Sequence, residues 1–91
     1  MRDEILIRVM LPANRLTYEF LMPLDLTVRQ GAQIVSRILA AQERARYRAS
    51  EECDLMLVDG PQPGLLLEWE TTFRELSVAD CLVDGALLVL M

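Results

Sequence analysis

The sequence predicts an α+β fold in which a mixed sheet of four to five strands packs on one main helix, with the first and last strands parallel and central. Three observations predict it. The final stretch Ala86-Leu87-Leu88-Val89-Leu90-Met91 follows the turn dipeptide Asp84-Gly85 and has no polar side chain, the pattern of a strand buried on both faces. The comparable run is N-terminal, Ile5 to Leu11, so the two ends of the chain are expected side by side. Between them lies one long segment of helical period with a clear start signal at Thr27.

From Ile5 to Leu11 the residues alternate, with Ile5, Ile7, Val9 and Leu11 on the expected core face and Leu6, Arg8 and Met10 opposite. Pro12-Ala13-Asn14-Arg15 then forms a hairpin connection, in which Asn14 tolerates the left-handed conformation. The returning strand, Leu16 to Met22, puts Leu16, Tyr18, Phe20 and Met22 inward and stops at Pro23, which has no amide to donate. Thr27-Val28-Arg29-Gln30 is a capping box with Leu26 placed as a staple before it. Val28, Ala32, Val35, Leu39 and Gln42 form one stripe of the helix, flanked by Ile34, Ile38 and Ala41. The helix is expected to run on into Glu43-Arg44-Ala45-Arg46, where Arg44, Arg46 and Arg48 match the negative end of its dipole.

After a polar linker, Ala49 to Cys53, Leu55-Met56-Leu57-Val58 forms a short strand bounded by Asp54 and Asp59. Gly60-Pro61-Gln62-Pro63-Gly64 is a turn, and Leu65 to Trp69 is the expected return strand of a second hairpin. Its prolines remove the amides that a phosphate-cradling loop needs, and no Lys-Ser/Thr follows, so nucleotide binding is excluded. One or two helical turns are expected over Leu76 to Leu82, ahead of the last strand.

Residues 1–91 are expected to form a single domain, large enough to bury a core without disulfides or metal. The chain has two cysteines, Cys53 and Cys81, and no histidine, so no metal set can be completed from the usual ligands and the thiols are expected free. Nine positive residues, all arginine, against fourteen acids give a net charge of −5. That balance argues against nucleic acid and against anionic lipid as partners. No run approaches a membrane-spanning length of about 20 apolar residues, and the N-terminus lacks the features of a signal peptide. A cytoplasmic protein without direct membrane insertion is expected.

The order hairpin, capped helix, short hairpin, leucine-containing turn before Asp84-Gly85, and a last strand parallel to the first resembles the ubiquitin-like β-grasp fold over nearly the whole chain. Two stretches narrow the resemblance: Thr17 to Thr27 with the helix that follows, and Asp80-Cys81-Leu82-Val83-Asp84-Gly85-Ala86-Leu87-Leu88. Both look like the stand-alone ubiquitin-like proteins of the YukD/EsaB type, which are encoded with type VII (WXG100) secretion systems. The segment from Glu43 to Cys53 is longer than in ubiquitin. The sequence ends on its strand at Met91 without a Gly-Gly tail, so conjugation through such a tail is not expected.

What the resemblance implies is a non-catalytic accessory or adaptor protein that docks on a secretion-machine component, at the inner face of the membrane through that partner. The alternatives are a β-grasp carrier or modifier, and a regulatory ubiquitin-like domain of a membrane secretion subunit. The residues agree with a binding role. Without His or Lys the usual general bases are absent, and Asp80 beside Cys81 disfavours a thiolate, so no catalytic residue and no cofactor are expected. If Leu87 and Val89 face the core, then Leu88 and Leu90 face outward. With Met10 and Met56 they would form an apolar docking patch, for a protein partner or a second copy of the chain. Trp69 and Phe73 are a second candidate.

Overall fold

The computed structural model describes residues 3–43, 49 and 52–91. Its elements are β1 (Glu4–Met10), β2 (Thr17–Pro23), α1 (Val28–Gln42), β3 (Leu55–Leu57), α2 (Phe73–Val78) and β4 (Ala86–Leu90). The sheet order is β2-β1-β4-β3. β1 and β4 are therefore central and parallel, and both outer pairings are antiparallel. This is the ubiquitin-like β-grasp: one mixed sheet of four strands against one main helix.

The N-terminal alternation is realised on β1, where Ile5, Ile7, Val9 and then Leu11 are buried. Parallel register fixes β4 from there. Ile7 faces Ala86 and Val9 faces Leu88, and side chains paired across neighbouring strands share a face. Ala86, Leu88 and Leu90 thus join the core, and Leu88 is fully enclosed at 0% exposure. The expected outward positions of Leu88 and Leu90 are corrected by this register. An all-apolar strand has no polar residue to mark its outer face, so sequence alternation alone leaves the phase open by one residue.

The Thr27 capping box forms as expected: its hydroxyl accepts from the Gln30 amide, and the Gln30 side chain accepts from the Thr27 amide. Helix α1 buries Val28, Ala32, Val35 and Leu39, but its covered face widens toward Gly31 and Ser36. Ile34 and Ile38 are each 38% exposed, and Gln42 is exposed as well. Helix α1 closes at Glu43, which is its C-cap; the expected extension to Arg46 and the Arg44/Arg46/Arg48 cluster lie outside the described residues. At the β1–β2 turn it is Arg15, not Asn14, that is left-handed, with φ 58. Asn14 instead accepts from the Leu16 amide and donates to Tyr18 and Glu43, while the Tyr18 hydroxyl donates to Glu43 at 2.6 Å. Leu16 is 53% exposed, against the inward position expected of it.

The second hairpin shrinks to a single bridge between Met56 and Leu66. Backbone bonds from Leu57 to Leu65 and from Leu67 to Leu55 flank it, but the chain then turns away, and the carbonyls of Trp69 and Thr71 accept from the first amides of α1. Those orphan helix donors compete with continued strand pairing and take the segment. The short helix begins earlier than Leu76, because Thr72 and Glu75 form a second capping box. The two caps, Thr27 and Thr72, bridge to each other, and Phe73 and Arg74 donate to Leu26 and Leu24.

On the surface beside these caps, Arg74 holds Asp25 at 2.9 Å and lowers its pKa through that hydrogen bond and through charge. A depressed carboxylate stabilises the fold above its unfolded pKa, and the contribution disappears as pH falls through the folded value. In Arg74→Ala, Asp25 is expected to titrate at higher pH than in wild type, read from its side-chain carbonyl shift by NMR. Because Asp25 is exposed, the pair is a small, salt-screened effect.

Candidate protein-docking face

One face of the sheet carries α1 and the core; among the described residues the other carries no helix. Alternation and register fix what the open face displays. From β1 come Leu6, Arg8 and Met10; from β4, Leu87 and Val89; from β3, Met56; from β2, Thr17, Glu19 and Leu21. Two of the four residues expected to form a docking patch, Met10 and Met56, stand on this face, and both are half-buried. Leu88 and Leu90 do not, and Val89 takes their place.

The registers then align a row across the sheet. Met10 pairs with Val89, Val89 with Met56, and Met56 bridges to Leu66. Leu66 is 52% exposed, whereas Val89 is only 8% exposed between its neighbours. Within the row, the flexible methionines and Leu66 therefore supply the reachable apolar surface, and methionine adapts to varied partners. A second apolar spot, Leu6 paired with Leu21, lies beyond the Arg8–Glu19 pair.

The charges around the row are anchored. Arg8 donates from Nε to the Gly85 carbonyl at 2.7 Å and from Nη2 to Asp59 at 3.4 Å. The other Asp59 oxygen accepts from the Leu87 amide. Asp54 accepts from the Trp69 indole at 2.6 Å. The ring of Trp69 also lies under the Arg29 guanidinium, 4.7 Å from centroid to Cζ. Trp69 is half-buried, with its indole N–H and one ring face taken by Asp54 and Arg29, and Phe73 is fully buried, so of the expected second candidate Phe73 presents no surface.

Neither Cys53 nor Cys81 is joined in a disulfide among the described residues. Burial pushes the Cys53 thiol up, with a hydrogen bond from Ser36 acting the other way, so Cys53 behaves as a core side chain. Among the described residues no group of three or more His, Cys, Asp or Glu is placed to hold a metal ion, and no helix is long and apolar enough to cross a membrane.

No family model and no curated protein matches the sequence. Solved structures do match the fold. A chain of the MycP5-free ESX-5 inner membrane complex, State II, superposes with a TM-score of 0.76 at 18% identity, over 99% of this chain and 21% of that one. The ubiquitin-like domain of the Mycobacterium tuberculosis type VII secretion system protein EccD1 gives 0.65 at 12% identity over 99% of both chains. A designed protein based on ubiquitin gives 0.61 at 17% identity, over 100% of this chain and 90% of the design. This chain spans about a fifth of the ESX-5 chain it resembles.

Proposed function

We propose that this chain is a non-catalytic ubiquitin-like adaptor of a type VII secretion system, of the YukD/EsaB kind, that works by docking on a component of the machine. The observation that carries this reading is the Met10–Val89–Met56–Leu66 row on the sheet face opposite α1. The full-length likeness to the EccD1 domain and the likeness to a chain of the ESX-5 membrane complex support the choice of machine.

Capture from the native cell tests it. Tagged wild type is expected to recover a secretion component, and Met56→Asp to recover at least about tenfold less while keeping a native circular-dichroism spectrum, because a charge on a central interface residue is costly to desolvate. A wild type that never recovers a secretion component sinks the proposal. Incubation with ATP and an E1-like enzyme separates this adaptor from a carrier; its intact mass is expected to stay unchanged.

One observation favours a second reading, a regulatory domain within a membrane secretion subunit: the matching part of the ESX-5 chain is only 21% of that chain. The mass of the native protein decides. An immunoblot band near 10.4 kDa supports the adaptor, and a larger band in the membrane fraction supports the domain.

A further inference from the structure

Building on the docking reading, we infer that the occupant of the open face is an amphipathic helix of a partner protein, apolar along one side and basic along its flanks, lying across the strands on the Met10–Val89–Met56–Leu66 row. Neighbouring strands are about 4.8 Å apart, so the four residues span roughly 14 Å with one side chain per strand. A helix rises 1.5 Å per residue and presents apolar side chains at i, i+3 or i+4, and i+7, about 5 Å apart, so ten or so residues match the row one turn per strand. An added strand does not fit this position. The backbone of β1 and β4 is already paired on both sides, so the face offers side chains and no free ladder.

Charge selects the flanks. Alternation along β3 carries Asp54 to Met56's side beyond the row, where one of its oxygens accepts from the Trp69 indole, and the inner side carries Glu19 and Asp59. Among the described residues Arg8 stands between Glu19 and Asp59, tied to Asp59 and the Gly85 carbonyl, and Arg29 lies on the Trp69 ring that holds Asp54. A basic flank meets complementary charge there. The same arithmetic disfavours a second copy as occupant, because a two-fold contact turns these acids toward one another in a chain of net charge −5.

The test uses two synthetic helical peptides of about fourteen residues, with the same Leu and Met positions and either Arg or Glu flanks, titrated into the isotope-labelled chain. The Arg-flanked peptide is expected to shift the amides of Met10, Met56, Leu66 and Val89. It is expected to bind at least about tenfold more tightly than the Glu-flanked one, and to lose that advantage at ~0.5 M salt. Glu19→Arg, an exposed position on the same face, is expected to narrow the difference. Equal binding of the two peptides, or no shifts on this face, overturns the inference. So does a wild type that scatters light as a dimer and becomes a monomer in Met56→Asp. The adaptor proposal fails separately: it stands if Met56→Asp still abolishes capture of a secretion component when the peptides do not bind, and falls if capture fails while they do.

Discussion

Leu88→Asp is expected to leave the protein unfolded at neutral pH, while Met56→Asp, one strand away, stays native. Leu88 is 0% exposed on a central strand, in register with Val9 on one side and Leu57 on the other. Truncating such a leucine costs about 2–5 kcal/mol from lost burial and the cavity left behind. An unpaired carboxylate in the same place adds several kcal/mol more, since none of the surrounding core residues is a cation. The sum matches or exceeds the roughly 5–10 kcal/mol that stabilises a domain of this size. Met56 is half-buried on the opposite face, where a charge reaches water, and its replacement is expected to cost about 1 kcal/mol. Circular dichroism with urea titration measures both. A Leu88→Asp protein that unfolds cooperatively within about 1 kcal/mol of wild type refutes the register of β4.

That contrast also marks where sequence reasoning reached its limit. The class of fold, the central pairing of the first and last strands and the first capping box are legible, because each rests on a local signal: an apolar run, a turn dipeptide, a threonine three residues before a glutamine. Met10 and Met56 were legible too, since each alternates with residues whose burial is plain. The phase of β4 was not, because Leu87-Leu88-Val89-Leu90 is apolar at every position, and only the parallel register against Ile7 and Val9 settles it. The helix stripe drifted for a related reason. Ile34 and Ile38 are more hydrophobic than Gly31 and Ser36, yet the close approach of α2 fills the Gly31 side and leaves the isoleucines at the rim. One signal was present and missed: Thr72-Phe73-Arg74-Glu75 repeats the capping-box spacing of Thr27 to Gln30 and would have started α2 at Phe73.

The close approach at Gly31 gives the second large effect, and two terms of opposite sign decide it. Replacing a helix-interior glycine by alanine ordinarily stabilises by about 1 kcal/mol. Here the new Cβ would lie 2.5 and 2.7 Å from Cε2 and Cζ of Phe73 and 3.2 Å from Sδ of Met22. The Phe73 ring is fully buried. Its backbone is fixed as well, since α2 is capped by Thr72 and held by Phe73 and Arg74 donating to Leu26 and Leu24 at 3.1 and 2.8 Å. The ring cannot retreat without moving α2, so overpacking wins and Gly31→Ala is expected to destabilise by about 1–3 kcal/mol net. Phe73→Leu alone opens space and also destabilises. In the double variant the alanine methyl enters that space, so the combined loss is expected to fall short of the sum by about 0.5–2 kcal/mol. Urea unfolding of the four proteins closes the cycle. If Gly31→Ala is instead more stable than wild type, α2 slides freely over α1 and the tie between the two capped helix starts is weaker than their hydrogen bonds imply.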